Sequence, residues 1–257
     1  MHPDLVTIPC LEDNYAFLVG DAATGDAALV DAPEAGPVLR ALALRGWRLT
    51  DILLTHHHGD HVAGVPELVA ATGARVTGAA ADSHRLPPLD RRLAGGDRVE
   101  AAGRAVEVIG VPGHTTGHIA FHMPAAGLAF TGDSLMAMGC GRLFEGTAAQ
   151  MWDSLGRLAQ LPAATLVCSG HEYTQANMRF ALALDPADPV LRSRSGAIDE
   201  ARAGGAPTVP SPLSLERATN PFLRCADPAF RAAVGLAELD APSAFAVLRA
   251  RKDAFRG

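Results

Sequence analysis

Thr55-His56-His57-His58-Gly59-Asp60-His61 is the stretch on which the fold turns. Read as His-x-His-x-Asp-His, it puts four side chains able to ligate a metal within six residues. Imidazole and carboxylate are donors that zinc, iron and manganese accept. Alternate residues of an extended chain point the same way, so His56 and His58 aim at one point. Asp60 and His61 follow on the turn beyond, and the four could serve one ion or be shared between two. Histidine runs also occur in purification tags and surface loops. This one lies inside the chain, directly behind the apolar run Ile52-Leu53-Leu54, which reads as a short buried strand. The segment after it, residues 62–73, becomes helical and stops at Gly73. A histidine cluster at such a strand-to-helix junction points to a metal-dependent hydrolase.

Outward from this motif, strands alternate with helices. Residues 6–9 and 15–19 read as paired strands, residues 27–30 as a strand ending at Asp31, and residues 38–45 as a helix. Further strands at 52–55, 106–110, 128–131 and 165–168 run respectively into the histidine motif, His114, Asp133 and His171. In layered α/β folds, loops at strand ends are where sites are assembled, so these distant residues can meet. A glycine stands before His114, Asp133 and His171, which suits close backbone approach. Thr147-Ala148-Ala149-Gln150 matches a capping box, and Met151, Trp152, Leu155 and Leu158 keep helical spacing as far as Pro162. After His171 the texture changes: helices are expected over 173–184, 228–239 and 242–255, with a Pro-rich connection at 206–212 and no strands. The expected organisation is an α/β catalytic domain, residues 1–171, followed by a helical substrate-binding domain, residues 172–257.

Composition narrows the function classes. The chain has 257 residues, 48% of them apolar, enough for a sizeable core. No apolar run approaches the roughly 20 residues of a membrane span. The start, Met1-His2-Pro3-Asp4, has neither a basic region nor a long apolar segment, so a cytoplasmic location is expected. A net charge of −6 without a long basic run disfavours nucleic acid as a partner. Cys10, Cys140, Cys168 and Cys225 are scattered and read as reduced, buried thiols. Cys140 is the one to watch, because it lies in the Gly-rich segment 138–142.

The set His56, His58, Asp60, His61, His114, Asp133 and His171 resembles the metallo-β-lactamase superfamily. Five further segments narrow the resemblance to the hydroxyacylglutathione hydrolases, or glyoxalase II. They are Asp13-Asn14-Tyr15, Gly139-Cys140-Gly141-Arg142, His171-Glu172-Tyr173-Thr174, Thr219-Asn220-Pro221-Phe222-Leu223-Arg224 and Arg249-Ala250-Arg251-Lys252-Asp253. They run along essentially the whole chain. The resemblance implies a four-layer αβ/βα sandwich followed by a helical domain, in a monomer. It also implies two divalent metal ions per chain, zinc foremost, with iron or manganese also used in the family. His56, His58 and His114 would hold one ion, Asp60, His61 and His171 the other, and Asp133 would bridge them. The implied reaction is hydrolysis of S-D-lactoylglutathione to glutathione and D-lactate, the second step of methylglyoxal detoxification. Two cations would acidify a water to attack the thioester carbonyl, with Asp60 orienting it. The departing thiolate, whose thiol has a pKa of about 8.5, needs no strong acid.

The resemblance also places the substrate. Arg249 and Lys252 match contacts to the glutathione carboxylates, and Arg142 and Tyr173 match contacts to its backbone. Without the resemblance, Arg249, Lys252 and Arg256 read as the solvated basic end of a helix whose apolar face is Phe245, Leu248 and Phe255. Arg142 stands where many relatives carry lysine, which changes reach and geometry. Phe144 stands where some carry tyrosine, so a hydroxyl is lost while packing remains. Among the other polar residues, Asp31 either orients a ligand histidine or simply closes a turn. His57 alternates away from its neighbours and reads as structural, His118 and His122 as core or surface with one contact behind a ligand also open to them, His2 and His84 as surface. Two rivals remain: a glutathione persulfide dioxygenase on the same fold, and a metal-stabilised binding module without turnover. The complete set of seven ligand positions favours the hydrolase over both.

Overall fold

Short apolar runs broken by glycine, proline and charged turns fold into two sheets stacked face to face. The computed structural model describes residues 4–257. In the first sheet β1 (Leu5–Cys10), β2 (Asn14–Gly20), β3 (Asp26–Val30), β4 (Arg48–Leu53), β5 (Arg75–Ala79) and β6 (Arg91–Leu93) lie side by side in chain order. Pairing is antiparallel from β1 to β3 and parallel from β3 to β6. The second sheet is built from β7 (Arg98–Ala101), β8 (Arg104–Gly110), β9 (Ile119–Met123), β10 (Leu128–Gly132), β13 (Leu166–Ser169) and β14 (Ser211–Pro212). A separate hairpin, β11 (Leu135–Met136) and β12 (Gly139–Cys140), follows β10.

The period-two alternation of the second sheet sorts its side chains between two cores. Val106, Val108, Phe121, Leu128, Phe130 and Cys168 face the first sheet and join its Phe17, Leu18, Leu29 and Ile52. Val111, Ala120 and Val167 face the other way, against helices. The outer face of the first sheet is covered by α1 (Ala35–Arg45) and α3 (Val65–Thr72), which bury Val38, Leu42, Val65 and Leu68. The outer face of the second is covered by α4 (Ala148–Leu158) and α10 (Ala241–Ala254), through Met151, Leu155, Phe245 and Leu248. The result is the expected four-layer α/β sandwich. The capping box forms as read: Thr147 accepts from the Gln150 amide, and the Gln150 side chain accepts from the Thr147 amide.

Two expectations for the C-terminal part need correction. It is not free of strands: β14, within the Pro-rich connection, pairs antiparallel with β13 and closes that edge of the second sheet. Two residues, one a proline, leave no alternation to read. The stretch beyond α5 (Thr174–Leu184) contains a helix, α6 (Pro189–Ala203), capped by the Asp188 carboxylate accepting from the Val190 and Leu191 amides. Helices α7 (Leu213–Thr219) and α8 (Pro221–Arg224) follow, and α9 (Pro228–Ala233) ends earlier than residue 239 because the chain turns at Gly235.

Strand direction is what assembles a site. β8 and β10 are both antiparallel to β9, so they point the same way, and β13 is parallel to β10. β3 and β4 are parallel to each other in the facing sheet. The loops after β3, β4, β8, β10 and β13 are tied together by backbone bonds. Ile119 N donates to Thr55 O, Gly170 N to Gly132 O, Ala32 N to His61 O, and Tyr15 N to Gly170 O.

Candidate metal centre

The histidine motif leaves β4 as an extended loop and enters the short helix α2 (Gly59–Val62) at Gly59. His114 follows β8, Asp133 follows β10 at the tight turn through Gly132, and His171 follows β13. These loops bring all seven predicted ligand positions into one cluster at one edge of the sandwich. Three overlapping sets of donor atoms lie within 4.8 Å of one another: His56, His58 and His114; His56, His61 and Asp133; and Asp60, His61 and His171.

Hydrogen bonds on the far side of each ring settle which nitrogen faces the centre. The Asp31 carboxylate can only accept, so His61 Nδ1 donates to it at 2.8 Å and His61 Nε2 carries a lone pair. Asp31 also accepts the Thr55 hydroxyl proton at 2.8 Å. Having given that proton away, Thr55 Oγ1 accepts from His56 Nδ1 at 3.0 Å, which leaves His56 Nε2 unprotonated too. His114 Nδ1 donates to the Arg142 carbonyl at 2.8 Å, and His171 Nδ1 donates to Asp13 Oδ1 at 2.9 Å. Four imidazoles thus present Nε2 lone pairs inward, each oriented by a partner behind it, as metal-ligating histidines characteristically are.

Their spacing suits ions. His58 Nδ1 lies 3.1 Å from His56 Nε2 and 3.0 Å from His114 Nε2. His171 Nε2 lies 3.3 Å from His61 Nε2 and 3.4 Å from Asp60 Oδ2. Donors about 2.0–2.1 Å from a tetrahedral zinc sit roughly 3.3–3.4 Å apart. Asp133 stands between the two groups: Oδ2 is 3.3 Å from His114 Nε2 and 3.4 Å from His171 Nε2, and Oδ1 is 3.5 Å from His61 Nε2. Asp133 Oδ1 is buried and accepts no hydrogen bond among the described residues. An orphaned, buried carboxylate oxygen is costly unless a cation meets it. That oxygen, together with the inward lone pairs, is the observation that fits this pocket to bound metal.

Charge reinforces the fit. Burial opposes ionisation of Asp133, yet His61 and His171 outweigh it and hold the carboxyl well below its usual range. Burial likewise opposes protonation of His61, but Asp133 and Asp31 overcome it and push the imidazole up to about 9, so Nε2 draws a proton unless a metal ion takes its place and uses the lone pair. Burial, reinforced by the neighbouring imidazoles, drives His56 far down. Close packing at this edge explains two of the glycines. A Cβ on Gly170 would sit 2.6 Å from His61 Cε1 and 2.8 Å from Asp133 Oδ1. Gly132, at φ 48°, would meet Thr55 Oγ1 at 2.5 Å.

Beside the cluster opens a cavity of about 410 Å³, lined by His58, Asp60, Asp133, Arg142, Phe144 and Tyr173 and, from α5 and α10, by Asn177, Arg249 and Lys252. All five predicted substrate-binding residues therefore face the space next to the histidines. Arg142 is exposed, and its guanidinium has no partner among the described residues. Phe144 is exposed, with its ring 5.8 Å from that of His58 and 5.2 Å from that of His114. Tyr173 stacks on His171 at 4.6 Å. Arg249 is buried: it donates to the Cys140 carbonyl and to Asp253, and lies over the Phe222 ring. Lys252 donates to the Ala176 carbonyl; burial, then Arg249, Arg179 and Arg142, lower it to about 8. Arg256, by contrast, lies past the end of α10 and donates only to nearby backbone carbonyls.

Over 252 residues, 98% of this chain and 99% of the relative, the chain is 67% identical to a hydroxyacylglutathione hydrolase of Cereibacter sphaeroides. A second one, from Ruegeria pomeroyi, is 58% identical over the same shares of both chains. The chain belongs to the hydroxyacylglutathione hydrolase family. Residues 12–171 match the model of the metallo-beta-lactamase superfamily, and residues 172–255 match that of the hydroxyacylglutathione hydrolase C-terminus. Among solved structures, TTHA1623 in a di-iron-bound form superposes with a TM-score of 0.61 at 28% identity, covering 85% of this chain and 99% of that one. ETHE1 from Myxococcus xanthus superposes at 0.64 and 26% identity, covering 97% and 98%. These likenesses place this hydroxyacylglutathione hydrolase relative on the metallo-β-lactamase fold, with a His/Asp cluster of the dinuclear kind.

Several residues at this site were left between two readings by the sequence or noticed only in passing. Asp31 orients His61 and, through Thr55, His56; it does more than close a turn, although its φ of 56° shows that it does that too. His118 is neither surface nor simple core: it stacks on His56 at 4.7 Å, and its Nε2 accepts the Asp133 amide at 3.1 Å. Asp13 and Asn14 attracted notice only as part of the resemblance; Asn14 Nδ2 donates to Asp60 Oδ2 at 3.0 Å. Cys140 lines the cavity. His57 is structural as read, 3.2 Å from Asp82 Oδ2, and His122 is buried 3.2 Å from Glu107 Oε2. His84 is exposed, and His2 lies outside the described residues.

Proposed function

We propose that this chain is a thioesterase that hydrolyses S-(2-hydroxyacyl)glutathione, with S-D-lactoylglutathione as its principal substrate. In this reading His56, His58 and His114 hold one divalent ion, Asp60, His61 and His171 hold a second, and Asp133 is shared. The orphaned Asp133 Oδ1, 3.5 Å from His61 Nε2, on a carboxylate whose other oxygen lies between His114 and His171, carries the metal part of this reading. When bound, two such ions supply an acidified water and Lewis-acid polarisation of the thioester carbonyl, and the N/O donor set serves zinc, iron or manganese.

The protein's own groups do the rest. Burial disfavours the Asp60 carboxylate, but the Asn14 hydrogen bond and the charges of His61 and His171 outweigh it and keep Asp60 ionised. Its Oδ2 is held by Asn14, while Oδ1 accepts no hydrogen bond among the described residues and is free to orient the attacking water. Arg142, Arg249 and Lys252 place three cations around the cavity in a chain of net charge −6; Arg249 and Lys252 meet the carboxylates of glutathione, and Arg142 and Tyr173 meet its backbone. The thiolate leaves without a dedicated acid, since its thiol has a pKa of about 8.5.

The boundary between a catalytic part, residues 1–171, and a substrate-binding part, residues 172–257, rests on the same division of labour: metal-facing groups come from the first and Arg249 and Lys252 from the second. We take a monomer as the working unit in this proposal. No helix among the described residues is long and apolar enough to cross a membrane, in keeping with a cytoplasmic enzyme. The persulfide dioxygenase alternative is not favoured, because relatives at 58–67% identity over nearly the whole chain are hydroxyacylglutathione hydrolases. Steady-state hydrolysis of S-D-lactoylglutathione, before and after chelation, tests the assignment; oxygen uptake with glutathione persulfide and no thioester hydrolysis would refute it.

A further inference from the structure

The cavity is rich in donors and poor in acceptors. Arg142, Arg249 and Lys252 can only donate, the carboxylates in its lining, Asp60 and Asp133, face the metal sets, and Tyr173 offers one hydroxyl for two amide N–H groups. A glutathione thioester brings two backbone amide N–H groups as well as two carboxylates. A buried N–H without an acceptor is costly, so a site that encloses glutathione needs a neutral acceptor near its backbone. Asn177, on the first turns of α5, is buried and lines the cavity. Its Nδ2 donates to the Ala137 carbonyl at 3.1 Å. The amide also lies against Gly139, where an added Cβ would collide with Nδ2. The β11–β12 hairpin therefore fixes which end of the amide faces it. Oδ1 accepts no hydrogen bond among the described residues.

We propose that Asn177 Oδ1 accepts a hydrogen bond from one backbone amide N–H of the glutathione moiety, making Asn177 a substrate-binding residue alongside the three cations. The inference rests on the thioesterase reading and adds to Arg142 and Tyr173 a buried neutral acceptor for the peptide backbone. A carboxylate at this position would repel the Ala137 carbonyl, whereas a carboxamide both donates to the hairpin and accepts from the ligand.

The test uses S-hexylglutathione, which cannot be hydrolysed, and its two depsipeptide analogues, each with one amide N–H replaced by an ester oxygen. Dissociation constants are measured calorimetrically on the metal-loaded wild type and on Asn177→Ala. The expected result is that one ester analogue binds the wild type about threefold to tenfold more weakly than the parent, the loss of one neutral hydrogen bond. Asn177→Ala should bind that analogue and the parent alike. If wild type binds both esters as tightly as the parent, the proposal fails without recourse to any variant. It fails equally if Asn177→Ala discriminates as strongly as wild type does, because the N–H would then be read elsewhere. Absence of binding of S-hexylglutathione itself to wild type would sink the thioesterase reading and this inference together.

Discussion

Replacing Asp31 by asparagine should weaken metal binding in both donor sets although no Asp31 oxygen is itself a donor to the metal centre. Its two oxygens accept three hydrogen bonds: the Thr55 amide on Oδ1 at 2.9 Å, and the Thr55 hydroxyl and His61 Nδ1 on Oδ2, both at 2.8 Å. Asparagine is the sharpest perturbation available, because φ is 56° there and asparagine tolerates the left-handed region as well as aspartate does. The fixed Thr55 N–H demands the amide oxygen, so the introduced NH₂ group must face His61 and the Thr55 hydroxyl. A donor opposite His61 Nδ1 forces its proton onto Nε2, and that proton then occupies the position meant for the ion. The Thr55 hydroxyl, now accepting from the introduced carboxamide, turns its own proton toward His56 Nδ1, which moves the His56 proton to Nε2 as well. One atom's change thus puts wrong tautomers into both donor sets. Lost orienting partners of ligand histidines cost about 10–100-fold in metal affinity, or ~1.4–2.8 kcal/mol per ion. The assay is competition with a graded series of chelators, read by metal analysis of the protein fraction, alongside circular dichroism to verify the fold. Retention of both ions by Asp31→Asn at wild-type affinity would refute the tautomer argument.

Three further outcomes follow from the geometry. Lys252 is lowered to about 8, by burial first and then by Arg249, Arg179 and Arg142, so it loses its charge as pH rises through 8. KM for the glutathione thioester should therefore climb above that pH, by about tenfold a full unit beyond it, and the climb should vanish in Lys252→Arg, whose guanidinium stays charged; a wild-type profile that stays flat well into the alkaline range would exclude Lys252 as a substrate cation. Gly170→Ala drives a methyl into His61 and Asp133, so the variant should fold but bind little metal, whereas Gly156→Ala in α4, with nothing within 4 Å of its Cβ, should leave metal content unchanged and stabilise the helix by roughly 0.5–1 kcal/mol. Glu216→Ala strands the buried Arg194 and removes the acceptor of the Met138 amide, and should cost about 3–5 kcal/mol in denaturant unfolding; a loss below about 1 kcal/mol would show that the pair contributes little.

How far the sequence could be read depended on how local each signal was. His56, His58, Asp60 and His61 announce themselves within one turn of chain, and His114, Asp133 and His171 each stand where an apolar strand runs out beside a glycine. The strands that set their direction were less visible. β9 carries only His122, which reads as core or surface and marks no strand, and β11, β12 and β14 are only two residues long. Yet it is β9, lying between β8 and β10, that turns His114 and Asp133 toward the same edge. Partners behind the ligands were hidden for a related reason. Nothing local to Asp31 or Thr55 says that one will orient His61 and the other His56, since those contacts cross between strands that pair only in three dimensions. The same holds for the β11–β12 hairpin, whose backbone is gripped by side chains from the C-terminal helices. Asn177 donates to Ala137 O, Asn220 to Met136 O and Gly139 O, and Arg249 to Cys140 O, while Glu216 accepts from Met138 N. Met138 is held there at φ 59°, a strained conformation for a side chain of that size. Arg249 on sequence grounds alone reads as a solvated helix end. Its burial against Phe222 and Cys140 became visible only once α8 and α10 were packed together.

The most direct test of the central claim is hydrolysis of S-D-lactoylglutathione by purified protein, with metal content determined on the same sample. The account predicts release of glutathione by a protein carrying about two ions per chain, abolished by chelation and restored by zinc, iron or manganese. Full activity in thoroughly chelated protein, or no hydrolysis in protein loaded with two ions, would contradict it.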